Sequence, residues 1–448
     1  MANGDKVKGQ ASNIFKKEYR QYRKYGAIKS ENKRFARLTI KKHCDKIATM
    51  KKAELLAPAG SFEKLKIAFL YGADAVYAGG KEFSLRASAE NFTLDEFEKA
   101  IEYTHSLGKK LYVTVNIYAK NSDLKAADEY FKRLKEMGAD AVLVSDPGLL
   151  NCALRHGLEV HLSTQANTQN VEAVKFWARQ GVKRVVLGRE LTLSEIAEIS
   201  KASEIETEVF VHGAMCVSYS GRCLLSNFFT NRDANRGECA QVCRWDFTLS
   251  HERHLDKNLI VTEDGRGTYF MNSKDLVLLR YIPYLIEAGV DSFKIEGRMK
   301  SEYYLATVVN AYRRAMDEYY SAGKILNLEK YISDIGNVVN HGYTEAFALG
   351  DNTETINYEQ SKQQPKSEFI AIAVSDGGKD GVTVEMRNRF KTGQTLHLLS
   401  PSENHGRSFK IDKIVNSKGE EIDDAKIVQE RVTLFPPFDC KAGDIFRS

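Results

Sequence analysis

The sequence predicts an α/β fold: a closed, TIM-type (β/α)8 barrel with an inserted cysteine-rich loop and hairpin, followed by a small C-terminal all-β barrel. Three observations predict it. From Glu54 onward, short apolar or β-branched runs alternate with segments of helical period. The runs number about eight, which favours a closed barrel over an open sheet. Glycines stand where several of the helices should stop.

The strand runs are Glu54–Ala57, Ala75–Ala78, Lys110–Ile117, Ala141–Val144, Glu159–Ser163, Arg184–Leu187, Glu208–His212 and Ser292–Ile295. Between them, Leu94, Phe97, Ile101, Thr104 and Leu107 mark one apolar helix face that ends at Gly108, and Val171–Gln180 forms another that ends at Gly181. Gly72, Gly138 and Gly289 punctuate the chain in the same way. Strand–helix alternation implies parallel strands joined by right-handed crossovers. The alternative is an open, doubly wound sheet. It expects a G-x-G-x-x-G turn after the first strand, but Pro58-Ala59-Gly60-Ser61 stands there.

A long excursion, Met215–Phe270, separates the seventh and eighth strands. Its second half (Phe247–Ser250, Leu259–Thr262, Asp264-Gly265, Thr268–Phe270) reads as a hairpin with a D-G turn. A long βα loop on the C-terminal face of a barrel is where function usually sits. A helix, about Glu302–Ser321, follows the eighth strand, and residues 351–367 read as a polar linker. Residues 368–448 change style, with short alternating runs at Phe369–Val374, Val382–Glu385, Gln394–Leu399 and Lys426–Leu434 between turns. They predict a β barrel of five to seven strands.

With 448 residues, 43% hydrophobic and 28% charged, the chain has globular composition, which excludes disorder as its overall class. No apolar run approaches the roughly 18 residues of a membrane span, and no secretory signal is evident, so a cytoplasmic protein is expected. The charge is uneven. Residues 1–50 hold 14 Lys and Arg against 4 Asp and Glu, whereas residues 51–448 carry a net −5. The basic arm, with Tyr19, Tyr22 and Tyr25 among its cations, could contact nucleic acid. It could equally be a solvated tail, or lie upstream of the natural start at Met50.

Four of seven cysteines fall within 28 residues, as C-x6-C-x15-C-x3-C: Cys216, Cys223, Cys239 and Cys243. In a cytosolic protein this suggests a metal site rather than disulfides. Four thiolates suit an iron–sulfur cluster or zinc. The wide first spacing fits a zinc ribbon poorly, so a [4Fe–4S] cluster is preferred, with zinc the alternative. Arg222, Arg236 and Arg244 sit beside the thiols in sequence and would offset cluster charge. Cys152 and Cys440 read as isolated thiols.

The segment EVFVHGAMCVSYSGRCLLS at Glu208–Ser226 resembles the signature of the collagenase-like peptidases of unassigned catalytic type, family U (thirty-two). The resemblance extends through Arg236–Arg244, Met271–Leu276, Lys294–Lys300, Glu54–Gly60, Asp74–Gly80 and the C-terminal β domain, covering about residues 52–448. It implies a TIM-type barrel with an iron–sulfur cluster. Branches of the family hydroxylate wobble uridine of tRNA with prephenate required, hydroxylate ribosomal RNA, or act as a pair in ubiquinone synthesis. This chain most resembles the tRNA-hydroxylating branch. By that resemblance Cys216, Cys223 and Cys239 are cluster ligands and Cys243 the remaining candidate. Val277 stands where many relatives carry a cysteine. The implied partners are tRNA, prephenate and a second subunit of the same family.

Pyrimidine hydroxylation needs a redox cofactor, and the cysteine cluster is the one feature that could hold it. Peptidase chemistry needs a nucleophile with a base, or an open metal site, and neither H-E-x-x-H nor G-x-S-x-G occurs. A peptidase using His212 with Cys216 or Ser218, and a non-catalytic iron–sulfur or RNA-binding scaffold, remain the alternatives. Strand-end position marks His212, Glu296 and Arg298 as candidate catalytic residues, and Lys274 and Asp275, which close the long excursion, join them. Asn272, Arg189, Gln165, Asn167 and Arg222 are candidate substrate contacts. Glu296 with Arg298, and Lys274 with Asp275, could instead be ion-paired loop anchors.

Overall fold

The computed structural model describes residues 47, 49–84, 91–216, 218, 223–236, 238–240, 242–244, 262–264, 267–269, 273–350 and 366–448, with backbone alone at 244, 262–264 and 267–269. Of the expected basic arm (residues 1–50), residues 1–46 and 48 lie outside the described residues, as do residues 351–365 of the expected linker.

Seven parallel strands pair in chain order: β1 (Glu54–Ala59), β2 (Ala75–Gly79), β3 (Lys110–Val115), β4 (Ala141–Val144), β5 (Val160–Leu162), β6 (Arg184–Val186) and β7 (Glu206–Ala214). A hairpin, β8 (Thr262–Asp264) with β9 (Gly267–Tyr269), and a short strand, β10 (Asp275–Val277), come next. The eighth barrel strand, β11 (Ser292–Ile295), pairs with both β1 and β7 and closes the barrel.

The helices that cover the first six strands are α1 (Phe62–Leu70), α2 (Leu94–Ser106), α3 (Asn121–Glu136), α4 (Pro147–Arg155), α5 (Val171–Arg179) and α6 (Leu193–Ala202). Their ends follow local chemistry. Thr93 and Glu96 form a reciprocal capping box on α2, as do Thr192 and Glu195 on α6. Gly108 (φ 65°) and Gly181 (φ 90°) sit in the left-handed region that a side chain at Cβ disfavours, as a helix stop requires.

Two features depart from expectation. Strand β10, invisible in so short a segment, pairs antiparallel with the end of β7 that overhangs the barrel and parallel with β12 (Tyr343–Thr344). The C-terminal domain has more strands than the five to seven expected. They are β13 (Phe369–Ala373), β14 (Val382–Met386), β15 (Phe390–Lys391), β16 (Thr395–Leu399), β17 (Ser408–Lys410), β18 (Ile414–Val415), β19 (Glu421–Ile422), β20 (Asp424–Ala425), β21 (Arg431–Leu434) and β22 (Ile445–Arg447). Eight form one antiparallel sheet, and β15 and β20 pair separately. The added strands include two-residue ones, which are too short to carry an alternation that a sequence can show. Ile370, Val384, Leu396, Leu434 and Phe446 centre a separate core there.

The domain docks on three helices of the barrel: α1, α9 (Glu302–Ala322) and α10 (Leu328–Ile335). Two short helices precede these last two, α7 (Leu225–Thr230) and α8 (Ile282–Glu287). The Tyr71 hydroxyl, just past α1, lies 2.9 Å from the Leu399 carbonyl and 3.0 Å from that of Gly443. Arg314 of α9 donates to the carbonyls of Ser400, Pro401 and Ser402. Asp334 of α10 pairs with His405 and Arg447 of the C-terminal domain. Burial opposes the Asp334 charge, but those two partners outweigh it and hold the carboxyl at about 2. Among the described residues no helix is long and apolar enough to cross a membrane.

Replacing Asp334 by alanine leaves Arg447 buried without this carboxylate, a class of change that costs about 3–5 kcal/mol. The expected outcome is a lower denaturant midpoint. The wild-type contribution is present above about pH 4 and fades as the pH falls through 2. An unchanged midpoint in Asp334→Ala would show that the domains do not depend on this contact.

Candidate functional site at the barrel mouth

The barrel interior is polar. Inward positions of β1, β6, β7 and β11 carry Glu54, Arg184, Glu208 and Lys294, all buried or nearly so. Arg184 bridges Glu54 (2.6 Å), Glu206 (2.6 Å) and Glu208 (3.2 Å), and Lys294 donates to Glu208 (2.7 Å). The Tyr112 hydroxyl and Ser292 complete the partners of Glu54. Burial works against the Glu208 charge, yet Lys294 and Arg184 outweigh it and its pKa falls below the usual carboxylate range. Burial pulls the Lys294 ammonium below its ordinary value, with Glu208 opposing. Lys294 also lies 4.3 Å from the centre of the Tyr77 ring.

Above this ion-pair column is a cavity of about 90 Å³ at the C-terminal ends of the strands. Its wall includes Lys294, Glu296, Arg298, Arg189, Gln165 and Asn116. The expected Glu296, Arg298, Arg189 and Gln165 therefore meet at one mouth, although they come from three separate loops. The Arg298 guanidinium is buried and donates to Ser84 (2.8 Å) and Thr114 (3.1 Å). It crosses Gly79 so closely that a Cβ there would fall 2.0 Å from Nη1. The backbone N–H of Arg298 also donates to the Glu296 carboxylate (3.3 Å). Gln165 accepts from Ser163 (2.6 Å), Ser145 (3.2 Å) and Asn116 (3.3 Å), so its amide is oriented before any ligand arrives. Arg189 donates to the Ala214 carbonyl and lies over the Phe210 ring.

Other candidates stand apart. Asn167 takes a left-handed turn (φ 56°) and accepts from Gln169, outside the cavity wall. His212 is 1% exposed and packs among Tyr304, Tyr312 and Tyr343, between the barrel and α9. Its Nδ1 lies 3.4 Å from the Tyr312 hydroxyl, while Nε2 has no hydrogen-bond partner among the described residues. Burial, aided by Lys300, pushes its pKa down to about 3, so the ring is neutral. Asp275 is fully buried on β10, 3.9 Å from Lys300. Lys274 is half-buried and makes no ion pair with Asp275 or any other described residue. Asn272 and Arg222 lie outside the described residues.

Sequence reading missed the column beneath the mouth. Its signal was present: Glu208 and Lys294 each stand next to apolar residues within a strand run, and a charge in a buried strand demands a partner.

The cysteine-rich loop begins where β7 ends and reaches across to the β3 side. There Arg236 donates to both carboxylate oxygens of Asp123 (2.9 and 3.2 Å) and to the Tyr118 carbonyl. The Asn235 amide donates to the Cys223 carbonyl, and Ser226 bonds the backbone of Glu238 and Ala240. Cys216 is exposed, Cys223, Cys239 and Cys243 are half-buried, and none is in a disulfide. Four reduced thiols on one anchored loop are the right donors for a soft metal or cluster. Among the described residues, no three Cys, His, Asp or Glu side chains are gathered closely enough to hold a metal ion. The donor chemistry fits such a group, and the described positions set no coordination geometry. Cys152 and Cys440 are buried elsewhere.

Two substitutions test these contacts. Gly79→Ala drives a methyl into the Arg298 guanidinium and should cost about 1–3 kcal/mol as overpacking, read as a lower melting temperature. Retention of full stability would remove the close crossing as a constraint. Because His212 is held neutral, its contribution is complete above pH 6.5 and lost as the pH falls towards 3. A His212→Gln chain should therefore lose stability less steeply than wild type over that interval, and equal slopes would contradict the assignment.

Residues 60–357 match Peptidase family U32, and residues 365–447 match the Peptidase family U32 C-terminal domain. The chain is 40% identical over 395 residues to tRNA hydroxylation protein P1 of Bacillus subtilis, covering 85% of this chain and 93% of that protein. It is 37% identical over 416 residues to tRNA hydroxylation protein P of Escherichia coli, covering 83% and 91%. A 23S rRNA 5-hydroxycytidine synthase of Escherichia coli is 38% identical over 376 residues, covering 80% of this chain and 54% of that protein. With barrel and C-terminal domain both matched, the chain belongs to peptidase family U32.

Proposed function

We propose that this chain is an RNA-modifying enzyme that hydroxylates tRNA at the wobble uridine, forming 5-hydroxyuridine in the cytoplasm. In this reading Cys216, Cys223, Cys239 and Cys243 hold a [4Fe–4S] cluster. A small anionic metabolite, prephenate by the family resemblance, takes part, and a second subunit of the family is a further partner.

The observation that carries the reading is the mouth itself. Arg189, Lys294 and Arg298 meet there with the Glu296 carboxylate, at the strand ends from which the cysteine-rich loop leaves β7. With Lys294 paired to Glu208, Arg189 and Arg298 against Glu296 still leave an excess of positive charge, which suits a negatively charged small molecule or an RNA phosphate. The names of the relatives, tRNA hydroxylation proteins and an rRNA hydroxycytidine synthase, support RNA as the substrate.

Replacing a ring C–H by C–OH is a two-electron oxidation that ordinary side chains do not perform. A bound iron–sulfur centre supplies electron-transfer chemistry. The chain's own residues do the rest. Arg298, fixed by Ser84 and Thr114, and Lys294, fixed by Glu208, bind and orient the anion. Glu296 is the carboxylate placed to accept or hold a proton at the mouth. The Gln165 amide, with its oxygen occupied, presents its N–H2 group as a donor. The peptidase reading draws no support from the geometry. Among the described residues, the only side chain in hydrogen-bond reach of His212 is Tyr312, which is no nucleophile–base pair.

The test is nucleoside mass spectrometry of tRNA from a deletion strain complemented with wild-type, Cys216→Ser or Lys294→Met chains. Wild type should restore hydroxylated uridine, and both variants should lose most of it. Anaerobically purified wild type should contain iron and acid-labile sulfide in equal amounts, and Cys216→Ser much less. Unchanged uridine hydroxylation in the deletion strain overturns the activity, and zinc in place of iron overturns the cluster.

A further inference from the structure

We infer that Phe228 is a stacking platform for an unpaired RNA base next to the nucleotide that enters the barrel mouth. This rests on the RNA-modifying reading above and adds to it a residue that positions the substrate.

Phe228 is 82% exposed, and Leu224, one helical turn before it, is 74% exposed. Large apolar side chains in water at this level mark an interaction surface when they cluster. They do cluster: Phe229 lies edge-on to Phe228, with ring centres 5.1 Å apart. All three belong to α7 or its first flank, inside the loop that carries the four cysteines.

The platform is held from behind. Ser226, on the opposite face of α7, is buried and bonds the backbone of Glu238 and Ala240. The next turn is tied to the barrel by Arg236 and Asp123. The exposed rings therefore project from a braced turn of the loop that leaves β7.

The neighbours of Phe228 decide what it meets. Asn227, Asn231 and Arg232 are all exposed on the same short stretch. An aromatic face flanked by amides is a combination that suits single-stranded RNA. The ring stacks on a base and the amides reach its hydrogen-bonding edge. A protein interface of standard size needs roughly 800 Å² a side with an apolar centre. Three apolar side chains bordered by Asn and Arg supply a footprint closer to one or two nucleotides.

The probe is an RNA stem-loop with a seven-nucleotide unpaired loop containing uridine, compared with the same stem closed as a duplex. Binding to the full-length, anaerobically purified chain is measured by filter retention. Phe228→Ala should weaken stem-loop binding about 5- to 150-fold, the range of one lost base–aromatic stack. Phe228→Trp should bind as well as wild type. Phe228→Leu should resemble the alanine variant, because it keeps apolar bulk without a π face. Melting temperatures should stay unchanged, since the side chain is in solvent. Equal binding by wild type and Phe228→Ala overturns the inference, as does full retention by Phe228→Leu. A change in oligomeric state in Phe228→Ala also overturns it, by making the patch a protein interface. If wild type binds neither RNA, the RNA-modifying reading itself falls, an outcome distinct from those three.

Discussion

Glu208 is the residue on which the mouth depends. It is fully buried near the start of β7 and sits between Arg184 below and Lys294 above. An isolated carboxylate in such a place would be intolerable, and so would an isolated ammonium. Together they stand, and the ion pair fixes where the Lys294 side chain ends. That end is the floor of the cavity. Most barrels of this kind fill the interior with layers of branched apolar side chains. Here the layers are partly ionic, so the interior carries electrostatic order up to the rim. The arrangement need not stabilise the fold, because buried ion pairs often do no better than apolar replacements. What it does is hold cations in place before a ligand arrives.

The rim extends that order. Arg298 is held by two hydroxyls and passes over a glycine, and Gln165 is held by three donors. Both are oriented by neighbours on other strands, which is the form of preorganisation that favours binding a charged reactant. The cysteine-rich loop is anchored at its far side by Arg236 on Asp123, so it spans the face from β7 to β3. The loop is therefore fixed at both ends on the side of the barrel where the strand ends line the cavity. The C-terminal domain docks on α1, α9 and α10 through buried pairs such as Asp334 with Arg447.

The eight barrel strands were legible because each is a short apolar run followed by an amphipathic helix and, often, a glycine that ends it. Glu296, Arg298, Arg189 and Gln165 were legible from their position just past strand ends. Strand β10 was not, because three residues paired on the overhang of β7 carry no periodic signal of their own. His212 shows the limit of arguing from strand-end position. A register shift between Lys294 and Ile295, where β11 pairs with β7, accompanies a histidine that packs against Tyr304 and Tyr312 of α9 and is absent from the cavity wall. Alternation along a strand predicts which side a residue faces only while the pairing stays regular.

By itself the sequence determined the order of strands and helices, where helices stop, and the presence of four thiols on one long loop. These are local properties, set by side-chain period, by glycine's freedom at positive φ and by covalent spacing. Tertiary structure alone decided which charges meet. Glu54, Arg184, Glu208 and Lys294 are scattered over 240 positions, and only barrel closure brings them within bonding distance. The same closure separates His212 from the cavity and sets Arg298 against Gly79. The physical reason is that electrostatic partnership depends on distance in space and on exclusion of water, and neither is encoded in any short stretch of chain.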